Sequence, residues 1–247
     1  MQSQGSAFDA DYQAVLTYAT TQGYTLPSAG QQILQNQFVV DLKAGGIWNK
    51  LDTLAVFATD GNIDFALIDW KRLSQYTAVN SPTFTTNVGF QGNGTSSYVD
   101  TNFNPSTSGV NYTLNDASRY FFPHAFSGVT RMDGTTTAGQ NIMIRNSSTT
   151  QRINCSTNNL AIAFDYTAVI DAKSIHRTSL TSVDLFNGTV GTTGVQTSTS
   201  ILNSNQFILR SATSYAAHTV SAYSMGASMV AENTAFVNAY NTYKSSI

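Results

Sequence analysis

Ser182-Val183-Asp184-Leu185-Phe186-Asn187-Gly188 reads as a short strand running into a tight hairpin turn. Asn-Gly after a β-prone run suits a type I′ turn, which needs positive φ at both central residues. Working outward, the hydrophobic period tends toward two from Thr77 onward, punctuated by Ser81-Pro82 and Gly92-Asn93-Gly94. Further strands are expected at Tyr120–Phe126, Asn141–Arg145, Leu160–Tyr166, Ser174–Thr178, Phe207–Arg210 and Thr219–Met225. Leu160, Ile162 and Phe164 alternate with Ala161, Ala163 and Asp165, so one face of that strand is core. Thr192–Ser200 reads as a loop or edge segment. After Gly226 the spacing turns helical. Phe236, Val237, Tyr240 and Tyr243 share a face, and Glu232 stands in the first turn, where the helix dipole favours an anion.

The N-terminal part is different. Tyr12, Val15, Leu16 and Ala19 predict a helix over Phe8–Gly23, capped by Asp9 or Asp11 and stopped by Gly23. Ser28 and Gln31 form a capping-box pattern ahead of Ile33, Leu34, Phe38 and Leu42, and Gly45-Gly46 supplies the stop. Two helices joined through Pro27 imply an α-hairpin whose apolar stripe needs a partner. The expected divisions are a helical hairpin at 1–46 (anchoring or oligomerisation), a bridging segment at 47–76 and a β-region at 77–247.

Composition narrows the function classes. The chain has 247 residues, 41% hydrophobic and only 11% charged, with net charge −2. That is enough apolar material for a core, and it gives no electrostatic pull toward nucleic acid. Cys155 is the sole cysteine, which excludes an intrachain disulfide and a thiolate zinc site. Met1-Gln2-Ser3-Gln4-Gly5-Ser6 shows neither a basic nor an apolar leader, and no apolar run is long enough to cross a bilayer, so neither a secretory signal nor membrane insertion is expected.

Several segments, taken in order, resemble the concanavalin A-like lectin/glucanase superfamily in the laminin-G-like form common among bacteriophage particle proteins. Gly89-Phe90-Gln91-Gly92-Asn93-Gly94-Thr95-Ser96-Ser97-Tyr98-Val99-Asp100-Thr101 looks like its opening strand pair. Val183–Gly188 resembles its hairpin, Phe207–Arg210 with Ser221–Gly226 its last core strands, and Met229-Val230-Ala231-Glu232 its closing helix entry. The likeness covers Thr77–Lys244. The stretch from Tyr12 to Phe103 is similar to proteins of phages of Bacteroidetes-type hosts. The fold so implied is mainly β: a concanavalin A-like two-sheet antiparallel jelly-roll sandwich with an N-terminal α-helical hairpin and a short C-terminal helix.

Glucanases of that fold need two carboxyls about 5 Å apart to retain configuration. This chain has one glutamate, Glu232, in the terminal helix, and no Gly-x-Ser-x-Gly elbow or HExxH spacing, so no enzyme is expected. For glycan contact, the candidates combining rings with polar donors are Tyr120, His124, Arg145, Arg152, His176, Arg177, Tyr215 and His218. The resemblance implies no cofactor apart from calcium at the sandwich rim, with Asp100, Asp116 and Asp133 as ligands. The expectation is a non-enzymatic bacteriophage virion structural protein: a capsid decoration, head-fibre or tail-associated component, exposed on the virion surface. Its partners would be other virion proteins, further copies of itself and a host-surface glycan, with no nucleic acid. Two alternatives stay open: a bacterial cell-surface carbohydrate-binding module or adhesin, and a polysaccharide-degrading enzyme with unconventional acidic residues.

Overall fold

The computed structural model describes residues 8–128, 131–137, 143–144, 151–155 and 170–247. Helix α1 (Ala10–Gln22) starts where the Asp9 carboxylate accepts the Asp11 N–H. It ends at Gly23, whose φ of 75° lies in the left-handed region that glycine enters without steric cost. Helix α2 (Ala29–Ala44) starts at Ser28, whose hydroxyl accepts the Gln31 N–H. The Gln31 side chain does not reach back to close the box. It turns inward, donating to Asn87 and accepting from Thr59 and the Asp60 N–H.

Two large sheets organise the rest. The first runs β13 (Val190–Val195), β12 (Ser182–Asn187), β11 (Lys173–Arg177), β8 (Ala117–Ala125), β17 (Thr219–Gly226), β6 (Gly89–Gln91) and β5 (Thr83–Thr85), with β1 (Leu51–Val56) also pairing β17. The second runs β10 (Met143–Ile144), β9 (Arg131–Gly134), β14 (Phe207–Ile208), β7 (Tyr98–Asp100) and β4 (Thr77–Val79). β15 (Arg210–Ser211) with β16 (Ser214–Tyr215), and β2 (Ile68–Asp69) with β3 (Ser74–Gln75), make two-stranded ribbons. Short helices lie at α3 (Ile63–Ala66) and α4 (Pro105–Ser108), and α5 (Asn233–Ser245) closes the chain.

The expected two-sheet concanavalin A-like jelly roll is therefore corrected. The described residues form four separate, open sheets and five α-helices. The physical reason lies in the largest sheet, which is buried on both faces. Tyr120 and Phe122 of β8 join a core with Tyr12, Phe38, Phe236 and Tyr240 from α1, α2 and α5. Phe121, between them, joins a second core with Val99, Met132, Met143 and Ile208 from the five-stranded sheet. A sandwich with wet outer faces alternates apolar with polar, whereas a strand covered on both sides reads as a continuous apolar run. Tyr120-Phe121-Phe122 is such a run.

Other expectations shift locally. The hairpin register pairs Asn187 with Val190, so the tip is Gly188-Thr189 with Gly188 at φ 61°, and Asn187 belongs to the strand. Glycine at the first tip position is the requirement of a type II′ turn, in place of type I′. Thr192–Val195, read as loop or edge, falls within edge strand β13. Phe207–Arg210 is split because Leu209 takes φ 66°, which places Phe207 and Arg210 in different sheets. The expected strand Leu160–Tyr166 lies outside the described residues, as does Asn141–Arg145 apart from Met143–Ile144.

Candidate functional site

The register of the five-stranded sheet builds the site. Val99 and Ile208 point into the core, so Tyr98, Asp100 and Phe207, their alternating neighbours, share the opposite face. The Tyr98 and Phe207 rings meet edge to face at 5.1 Å, and Tyr215 lies 6.2 Å from Tyr98. Arg210, paired with Tyr215 in the β15–β16 ribbon, lays its guanidinium over all three rings, at 4.5 Å from Tyr98, 4.7 Å from Phe207 and 5.5 Å from Tyr215. Each such contact contributes about 0.5–1 kcal/mol at an exposed site, more where water is displaced. Its Nε donates to the Ala212 carbonyl at 3.0 Å. Tyr98, Arg210 and Tyr215 all remain half-exposed, while Phe207 is buried beneath them.

One rim is polar. Asp100 accepts the Asn102 N–H at 2.8 Å and the Asn205 side-chain amide at 3.1 Å. Burial pushes its pKa above the ordinary carboxylate range, opposed by those donors and by the Arg210 charge. On the other side of the ribbon Arg131 donates to Ser214 Oγ at 2.8 Å. Asn102, Leu209 and Ala212, around this surface, all have positive φ, at 50°, 66° and 51°. Left-handed backbone at non-glycine residues costs of order 1 kcal/mol or more and concentrates where geometry serves a site.

The residues singled out from the sequence scatter. Tyr215 and Asp100 reach this face. Tyr120 is fully buried, donating to Asn233 at 3.0 Å and packed against Phe122 and Phe236. His124 is exposed at the end of β8, and partial burial and the Lys244 ammonium hold its pKa below the usual value. Arg177 is buried, and its guanidinium donates to the carbonyls of Ile153 and Gln196, tying three chain segments together. Arg152 is buried too, and its carbonyl accepts from Arg119. His218 is buried against Phe126 and accepts the Ser127 N–H. Arg145 lies outside the described residues. Asp116 accepts the Ser228 N–H at 2.6 Å, and Asp133 is buried in an ion pair with Arg119. Asp100, Asp116 and Asp133 do not converge, and no group of three or more His, Cys, Asp or Glu among the described residues could hold a metal ion. Tyr98, Phe207 and Arg210 were missed as site residues. A depression of about 360 Å³ on the helical side is lined by Gln13, Thr17, Thr20, Thr21 and Gln32 with apolar neighbours, and carries no titratable group.

His176 shows what burial does to a titratable side chain here. It sits edge-on between Tyr120 and Phe186, its Nδ1 accepts the Met229 N–H at 3.1 Å, and its other nitrogen contacts Ser174 Oγ at 2.9 Å. Burial, with the Lys50 charge, lowers its pKa to about 3. The unfolded chain takes up this proton near pH 6.5 and the folded chain does not, so stability falls as pH drops from about 6.5 toward 3. The expected slope from this group is about 1.4 kcal/mol per pH unit. Denaturant melts between about pH 7 and pH 4 should show that slope in the wild type. It should be reduced by that amount in His176→Gln, and equal slopes would contradict the assignment.

No family model matches the sequence, and no curated protein matches it. Solved structures do resemble the fold. The crystal structure of the HCR/D W1238A mutant has 7% identity and a TM-score of 0.52 over 79% of this chain. This chain spans about half of that protein, 53%. Domain 4 of AbnA, a GH43 extracellular arabinanase from Geobacillus stearothermophilus, in complex with arabinotriose, has 12% identity and a TM-score of 0.44 over 76% of this chain and 98% of that one. Trypanosoma rangeli sialidase has 10% identity and a TM-score of 0.39 over 84% of this chain and 39% of that one.

Of these, one comes from an arabinanase and one is a sialidase. The expected kinship with laminin-G-like bacteriophage proteins is corrected, because the two-sheet jelly roll it rested on is not the observed fold. With it go the non-enzymatic virion role, the virion partners and self-assembly, and the virion-surface location. Identities of 12% or less carry fold and no activity. Among the described residues no helix is long and apolar enough to cross a membrane.

Proposed function

We propose that this chain is a carbohydrate-directed β-module that binds a saccharide across Tyr98, Arg210 and Tyr215. One observation carries the reading: two half-exposed tyrosines and a guanidinium are locked together over a buried phenylalanine, with a carboxylate and a carboxamide at the rim. Sugar rings present C–H faces that pack on aromatic planes, and hydroxyls that need fixed donors and acceptors. Ligand sites take this form, apolar surface with a few placed polar groups. Affinity electrophoresis against a panel of soluble polysaccharides tests it. Tyr215→Ala is expected to weaken binding about tenfold or more, the equivalent of about 1.4 kcal/mol. The half-exposed ring lies outside both cores, so the melting temperature should move little. Binding that survives Tyr215→Ala, Tyr98→Ala and their combination would place the site elsewhere.

A polysaccharide-degrading activity is the second reading, and the raised pKa of Asp100 favours it, because a general acid must keep its proton near working pH. Reducing-end release that disappears in Asp100→Asn would establish it. Binding without release in the wild type would leave the chain a recognition module.

A further inference from the structure

Resting on the site proposed above, we infer that the saccharide it takes is acidic, with the carboxylate of a uronic or sialic acid residue received by the free edge of the Arg210 guanidinium. A guanidinium has five N–H donors in a planar fork that matches a carboxylate. In Arg210 the Nε donor is used by Ala212, whereas among the described residues neither terminal nitrogen has a hydrogen-bonding or ion-pair partner. The group is nonetheless held in place. Three rings lie within 5.5 Å of its central carbon, and Nε anchors its plane.

This differs from Arg72, Arg119 and Arg177. Arg72 pairs with Asp69 and donates to the Thr101 and Asn102 carbonyls. Arg119 pairs with Asp133, and Arg177 is absorbed by carbonyls. The neighbouring carboxylate, Asp100, accepts from Asn102 and Asn205, so its lone pairs are engaged by amides. An ordered guanidinium with two open nitrogens loses less conformational freedom on accepting an anion than a mobile one. Aromatic faces on either side would take the sugar ring that carries it.

Isothermal titration with polygalacturonate and with its fully methyl-esterified form compares one backbone with and without charge, and sialyllactose against lactose does the same for sialic acid. The wild type should prefer the acidic member of at least one pair by about tenfold or more, and that preference should weaken as ionic strength rises. Whichever pair shows it identifies the source of the carboxylate. Arg210→Met should remove the preference, lowering affinity for the acidic member at least about tenfold more than for the neutral one, and Arg210→Lys should restore part of it. Equal binding of acidic and neutral members, or a preference untouched by Arg210→Met, overturns the inference. If neutral binding is still lost in Tyr215→Ala, the site reading stands without the acid. If none of the four ligands binds, the acidic assignment falls with them. The comparison of wild-type ligands needs no variant, so a misfolded Arg210→Met protein leaves the test intact.

Discussion

Removing residues 1–46 is expected to leave a chain that no longer folds cooperatively. Helices α1 and α2 place Tyr12, Val15, Leu16, Ala19, Phe38, Val39 and Leu42 in one core with Leu54, Val56, Tyr120, Phe122 and the α5 residues Phe236 and Tyr240. A fully buried large apolar side chain contributes about 1.5–3 kcal/mol, and a whole domain is stable by about 5–15 kcal/mol. The six large ones among these therefore represent at least as much as the margin. A polar network ties the same layer down. Gln35 accepts from Tyr12 at 2.7 Å and donates to Thr59 and Tyr243, each at 3.1 Å, and these groups come from α1, α2, α5 and the loop after β1. Without the hairpin, Thr59 and Tyr243 lose buried partners and the Tyr120–Phe122 face meets water. Residues 47–247 should be insoluble, or soluble without near-ultraviolet circular dichroism. A monomeric fragment with a sharp thermal transition near that of the full chain would show that the hairpin is an accessory.

Asp133→Ala carries the second large effect. The Asp133 carboxylate receives Arg119 Nη1 at 2.7 Å on both oxygens, the Tyr223 hydroxyl at 2.7 Å and the Met143 N–H at 2.8 Å, and both charged residues are fully buried. Taking away the acid leaves a guanidinium in the core without a counter-ion, which costs about 3–5 kcal/mol. In a chain of this size that lowers the melting temperature by about 10 °C. Replacing both partners, Arg119→Met with Asp133→Leu, should recover much of the loss, because the stranded charge is then gone as well. A single variant that melts within a degree or two of wild type would mean that Arg119 finds water or another acid.

The sequence made the local elements legible where the cause is local. Asp9, Gly23 and Ser28 mark helix ends because capping is decided by a few adjacent residues. Strands β8, β11, β12 and β17 fall close to where alternation and turn residues put them. What could not be read is set by distant pairing. Lys173-Ser174-Ile175-His176-Arg177 looks half-polar, yet every residue is buried, because Arg177 is met by carbonyls of Ile153 and Gln196. The layering was in view but misjudged, since the apolar run Tyr120-Phe121-Phe122 already called for cover on both faces. At the site, Tyr215 and Asp100 stood out by residue type. Tyr98 and Arg210 did not, because only the β7–β14 register and the left-handed Leu209 bring them together.

The most direct test of the saccharide surface is an amide-resolved NMR titration of the full chain with the tightest-binding glycan. Shifts should concentrate at Tyr98–Asn102, Asn205–Ala212 and Ser214–Tyr215, with the helical layer unmoved. Saturable shifts confined to the helices, or to the β11–β13 end of the large sheet, would contradict it.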